Sequence, residues 1–161
     1  MNYICSKTFD KKAIDGNILV PQGEELSCEE NTLVYNGKRI CYATSANAYA
    51  HFALNDDGKG EERYAKTQAI LSKIAELNKD YGERANAILS QIDHEDEEQV
   101  VQAEAQIAEL ENKVGEFFDH LKETPSWAKC ATFQEDGTRT FNRNFYEAPV
   151  STLGAMLSYL G

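Results

Sequence analysis

Over residues 61–123 the apolar positions recur at steps of three and four, in two seams divided by a polar break. The first seam is Tyr64, Thr67, Leu71, Ile74, Asn78, Tyr81, Ala85, Ile88 and Ile92; the second is Val100, Ala103, Ile107, Leu110, Val114, Phe117 and Leu121. A sustained seven-residue repeat predicts helices paired as in a coiled coil. The run Asp93-His94-Glu95-Asp96-Glu97-Glu98 between them cannot enter a helix interface, and its carboxylates suit the positive N-terminal end of a second helix. The pattern predicts a long antiparallel helical hairpin. Its weak points are Asn78 on the seam and Gly82 beyond it, where Asp80 and Glu83 are spaced to cap a new start, although the seam keeps its phase there.

On either side of the hairpin the period changes. Residues 3–9 are β-branched and aromatic enough for a strand, Ile18-Leu19-Val20 meets the turn Pro21-Gln22-Gly23, and residues 33–42 enclose Asn36-Gly37, which suits a two-residue hairpin turn. Residues 1–43 therefore read as a small antiparallel sheet. Thr44 or Ser45 is placed to cap a short helix over 46–54 that turns Tyr49, Phe52 and Ala53 toward the sheet, and Asn55-Asp56-Asp57-Gly58-Lys59-Gly60 stops it. Beyond Thr124-Pro125, residues 129–134 and 138–141 flank Glu135-Asp136-Gly137 as a second hairpin, expected to extend the N-terminal sheet. A last helix over 150–160 places Leu153, Met156, Leu157 and Leu160 on one face. The predicted fold class is α+β: a head made of residues 1–60 and 124–161, and residues 61–123 projecting from it as the hairpin.

Charge sharpens this picture. The 161 residues carry a net −11, from 27 acids against 16 bases. Residues 61–92 balance at 5 and 5, whereas residues 93–123 hold 11 acids against Lys113 and Lys122. Such a chain is expected to bind neither DNA, RNA nor membrane directly, and to favour a partner with a basic surface. No apolar stretch approaches the ~20 residues of a membrane span, and the N-terminus has no basic region followed by an apolar run, so the expected location is the cytoplasm. Cys5, Cys28, Cys41 and Cys130 form no C-x-x-C pair and read as reduced thiols in apolar surroundings.

Candidate chemistry is sparse. His51, His94 and His120 match no metal-ligand spacing, and no nucleophile and base or pair of pocket carboxylates can be drawn, so neither an enzyme nor a metal or cofactor is expected. The acidic loop around Gly58 fits no EF-hand register and no phosphate loop. Two surfaces remain. Glu97, Glu98, Glu104, Glu109, Glu111 and Glu116 lie off the second seam as rows of carboxylates able to occupy a basic groove, beside the plainer reading of a solvated helix face. Trp127, Phe133, Arg139, Phe141, Arg143 and Tyr146 interleave aromatics with arginines, the combination that stacks a base and clamps a phosphate, beside the plainer reading of strand and core. For self-association, with a dimer as the default, the candidates are Leu71, Ile74, Asn78, Tyr81, Leu89, Val101 and Phe118.

Three short stretches carry a resemblance: Tyr3-Ile4-Cys5-x-x-Thr8-Phe9, Ser45-x-Asn47-Ala48 leading to Asn55-Asp56-Asp57-Gly58-Lys59-Gly60, and Asn144-Phe145-Tyr146-x-Ala148-Pro149. In these the chain resembles the small uncharacterised proteins of phages and prophages of Firmicutes, outside the acidic second helix. The resemblance implies a viral setting and no catalytic residues. The function expected is that of a non-enzymatic counter-defence inhibitor, which blocks a host nucleic-acid-binding or immune protein through the acidic helix in the host cytoplasm. The alternatives are an oligomeric sponge for a small signalling nucleotide and a minor virion or assembly protein.

Overall fold

The computed structural model describes residues 2–161. The N-terminal part is built from β1 (Asn2–Cys5), β2 (Phe9–Ala13), β3 (Gly16–Val20), β4 (Glu25–Glu29), β5 (Thr32–Tyr35) and β6 (Lys38–Tyr42), then α1 (Ala46–His51) and β7 (Phe52–Leu54). Five strands form one antiparallel sheet in the order β6-β5-β4-β1-β7. The β2–β3 hairpin forms its own ladder and folds over that sheet, where the Ile14 and Asp15 N–H groups donate to the Ile40 and Arg39 carbonyls at 3.0 and 3.2 Å. Tyr3, Cys5, Phe9, Val20, Leu26, Leu33 and Ile40 close a first core between the two layers. The Asn36-Gly37 turn has φ of +51° and +76°, the doubly positive backbone a tight hairpin needs. Ser45 caps α1 by accepting from the Ala48 N–H, and the predicted helix over 46–54 stops early: Phe52 leaves it to begin β7 beside Cys5 of β1.

The helical part comprises α2 (Gly60–Leu89), α3 (Glu97–Ala108), α4 (Lys113–Glu123) and the single turn α5 (Pro125–Ala128); β8 (Ala131–Phe133), β9 (Arg139–Phe141), the single turn α6 (Arg143–Tyr146) and α7 (Val150–Leu160) follow. The fold class is α+β, as the periodicity predicts. The long first helix is unbroken through Asn78 and Asp80. At ~1.5 Å per residue its 30 residues reach about 45 Å.

Three features differ from the sequence reading. The second helix is two helices: α3 ends at Glu109, and Asn112 starts α4 by accepting from the Gly115 N–H at 3.1 Å. An asparagine side chain competes well for backbone donors, and here it wins over a seam that runs through without a phase error. The β8–β9 hairpin does not join the N-terminal sheet. It closes a second core instead, where Phe117 and Leu121 of α4, Cys130, Phe145, and Leu153, Met156 and Leu160 of α7 surround Ile70 of α2. The C-terminal segment thus packs on the root of the long helix, because α7 presents an apolar face long enough to cover it. Finally, the seam of α2 passes through Leu77, which packs against this second core, and leaves Asn78 exposed.

The two cores meet at the first turns of α2. Arg63 is buried there, and its guanidinium donates to the Ala148 carbonyl at 2.8 Å, to the Leu54 carbonyl, and to Asp57 at 2.8 Å. The Lys59 N–H and then the Arg63 guanidinium hold the Asp57 carboxyl below its ordinary range. Gly60, which opens the helix, sits so close to β1 that an added Cβ would lie 2.5 Å from Ile4 Cγ2 and 3.0 Å from the Leu54 carbonyl oxygen. Gly60→Ala is therefore expected to destabilise the fold by roughly 1–3 kcal/mol through overpacking. Gly82→Ala, with nothing within 4 Å of its new Cβ, should stabilise it by about 0.5–1 kcal/mol through helix propensity. Urea unfolding of the two variants beside the parent checks both signs.

Candidate functional site

The residues singled out for a nucleotide are brought close to one another only in part. Asn142 accepts from the Asn144 N–H and starts α6, which turns Arg143 away from the β9 face occupied by Arg139 and Phe141. Each nitrogen of Arg143 is then engaged: Nε donates to Glu147 at 2.7 Å, one Nη to Asn31 at 2.8 Å and the other to the Tyr3 hydroxyl at 3.2 Å. Tyr3 in turn donates to Glu147 at 2.9 Å. Burial, and then the Glu147 hydrogen bond, push the Tyr3 phenol far up, so it remains a donor, while the Glu147 bond holds the Arg143 proton more firmly still. This is a clamp between the sheet and α6, and it commits three of the five guanidinium N–H groups of Arg143 to partners within the chain.

Tyr146 stacks on Tyr49 with ring centroids 4.4 Å apart, over a crevice lined also by Tyr3, Tyr64 and Thr67 whose volume is only about 10 Å³. That is room for a single water at most. Phe141 stacks on Phe145 at 3.9 Å inside the second core, and Arg139 lies exposed with its guanidinium 4.8 Å from the centre of the Phe118 ring. Phe133 carries the Lys122 ammonium at 5.4 Å, and Trp127 packs against His120 and Phe117. The six side chains are spread over three places, and the arginines serve mainly the fold.

The acidic arm is arranged differently. Residues 90–96 turn the chain back, and Asp96 caps α3 by accepting from the Glu98 and Gln99 N–H groups at 3.0 and 3.4 Å. Glu97, Glu98 and Glu104 stand exposed on α3, Glu109 ends it, Glu111 lies in the break and Glu116 is exposed on α4. Among the described residues none of the 11 carboxylates of residues 93–123 has a Lys, Arg or His nitrogen within 4 Å. The acids of α2 behave otherwise, with Arg84 on Asp80 at 3.2 Å and Lys79 on Glu83 at 4.0 Å. Because α3 and α4 are separate helices, the carboxylates do not continue as one straight row; the densest run, Asp93, Glu95, Asp96, Glu97 and Glu98, spans the turn and the start of α3.

The residues expected at a dimer interface do not form one face. Phe118 is buried against Phe117 and Phe141, and Leu71 and Ile74 pack on the second core, so all three are used within the chain. Asn78 is exposed, and Val101, at 63 % exposure, points away from α2 on the outer side of α3. Tyr81 and Leu89 remain half-buried on the distal part of α2 and belong to neither core. Val101 thus stands opposite the seam residue Ala103, the buried residue of α3.

No helix among the described residues is long and apolar enough to cross a membrane, and no group of three or more His, Cys, Asp or Glu is gathered there to hold a metal. Comparison with protein-family models, with curated proteins and with solved structures finds no match.

The two arginines should separate by stability alone. Arg143→Ala removes the cation bonded to Glu147, Asn31 and the Tyr3 hydroxyl and is expected to cost about 1–3 kcal/mol in urea unfolding, while Arg139→Ala, losing one exposed cation–π contact, should cost about 0.5–1 kcal/mol. Equal effects would show that Arg143 is not the clamp.

Proposed function

We propose that the chain is a non-enzymatic binding protein of a phage setting, acting in the host cytoplasm, whose α3 occupies the basic surface of a host nucleic-acid-binding or immune protein and so disables it. The observation that carries this reading is the set of exposed carboxylates on α3 and the adjoining turn, concentrated on one arm and, among the described residues, paired with no cation. Unpaired like charges repel one another and lower the stability of the arm that carries them, and a basic partner relieves that repulsion. The arm also holds them along the distal part of an α2 about 45 Å long, beyond the two cores, where a groove can close around them. The phage setting rests on the resemblance of the three short stretches alone.

The test is a pull-down from host lysate with the parent and with a Glu97→Lys, Glu98→Lys, Glu104→Lys variant, at low and high salt. Exposed ion pairs are screened over a Debye length of ~8–10 Å, so capture should fall steeply with salt, and a short DNA duplex should compete for the same partner. The triple variant should lose at least about tenfold in affinity, roughly 1.4 kcal/mol, while keeping the helical content of the parent by circular dichroism. Full-strength, salt-insensitive capture by the variant would remove this reading.

Self-association belongs to the same proposal, but through the charge-balanced α2, where Tyr81 and Leu89 are half-buried and belong to neither core. Light scattering at tens of micromolar should give a dimer, and Leu89→Glu should return the monomer. A monomeric parent would leave the hairpin complete as a single chain.

A further inference from the structure

α3 has a second apolar stripe on the side away from the long helix. Ala103 is its buried residue against α2, and Val101 stands roughly 160° round the helix from it. Val101, Ala105 and Ala108, at i, i+4 and i+7, are all exposed, the valine at 63 %. On a helical projection Glu97 and Glu104 border this stripe on one side and Glu98 and Glu109 on the other. An apolar centre with a charged border on both sides has the layout of an interface, and two alanines beside one valine let another helix approach closely.

We infer that this outer face of α3 docks a basic amphipathic helix of the partner, its apolar stripe on Val101, Ala105 and Ala108 and its Lys and Arg on the two acidic borders. The inference rests on the proposed function and names the kind of segment that the acidic arm recognises. Charge selects this occupant over a second copy of the chain. A two-fold pairing of α3 with itself would set acidic borders against acidic borders, with no Lys or Arg on α3 to separate them. A helix with basic borders reverses the sign of every one of those contacts. The size agrees: at ~1.5 Å per residue the 12 residues of α3 offer about 18 Å, enough for three turns of a partner.

The experiment uses the full chain and two synthetic peptides of about 18 residues, long enough to span α3. One carries a Leu/Ala stripe at helical spacing with Lys and Arg on both sides. The other has the same composition shuffled so that charge is kept and the stripe is lost. The striped peptide should bind with a rise in its helicity by circular dichroism and the shuffled one at least about tenfold more weakly. Val101→Ser, at an exposed position that leaves the melting curve unchanged, should weaken the striped peptide by about tenfold, a hot-spot-sized effect. Equal binding of the two peptides, or a Val101→Ser variant that binds the striped peptide at full strength, would overturn the inference. If in that case Glu97→Lys with Glu104→Lys still abolished binding, the acidic surface would survive as a charge-only site; if it did not, the proposed function would fall with the inference.

Discussion

The buried guanidinium of Arg63 is the contact on which the arrangement of this molecule depends. A charge taken out of water needs polar partners, and each of the three guanidinium nitrogens of Arg63 finds one in a separate segment: the carbonyl of Leu54 at the end of β7, the carboxylate of Asp57 in the following turn, and the carbonyl of Ala148 just before α7. The fork geometry of the side chain therefore ties the edge of the sheet, the start of the long helix and the C-terminal segment to one another. Gly60 makes this contact sterically feasible, since any Cβ there would drive α2 off Ile4 and Arg63 away from its carbonyls. On the other side of the junction, Tyr3, Arg143, Glu147 and Asn31 form a second polar bridge between sheet and α6.

With its root held in this way, α2 acts as a beam. Its buried residues, Gly60, Arg63, Thr67 and Ile70, all lie in the first three turns, where the sheet, α4 and α7 cover it. Further out Leu71, Ile74 and Leu77 still pack on the second core, and beyond them the side chains toward α3 are at most half-buried. The apolar effect that closes the two cores is used up near the root, and the distal arm is kept helical by propensity, by caps such as Asp96, and by the partial seam with α3. An arm so lightly packed has little to lose by carrying unpaired charge. That is the physical sense in which the acidic surface and the projecting hairpin belong together: a dense set of carboxylates on the sheet would work against a core, while on the arm it is solvated.

The aromatic and arginine residues of the C-terminal segment illustrate how composition misleads. Arg143 and Arg139 are two β-strand steps or one helical turn apart according to the local backbone, and Asn142, by capping α6, decided for the helix. Arg143 then swung to the sheet and Arg139 stayed over Phe118. No residue type changed; the backbone alone separated a nucleotide clamp from a structural one.

Much of the architecture follows from short-range chemistry and was legible for that reason. Asn36-Gly37 dictates its hairpin because only such residues accept two successive positive φ angles at low cost. The 3.6-residue period of residues 61–89, the acidic break at 93–98 and the capping Asp96 and Ser45 define their helices through contacts a few residues apart. The exposure of Glu97, Glu98 and Glu104 follows from the cost of burying a carboxylate. What only the tertiary structure decided are the choices between partners of equal local merit. Phe52–Leu54 is helical by pattern and a strand because β1 offers an open edge. The β8–β9 hairpin suits the sheet by economy and packs on α4 because Phe117, Phe118 and Phe141 bury one another there. Leu77 rather than Asn78 faces inward because the second core, built largely from residues more than 35 positions further along the chain, packs on that side of α2. Periodicity carries the existence of an apolar face but not its occupant, since burial energy is non-directional and any face of matching length will do.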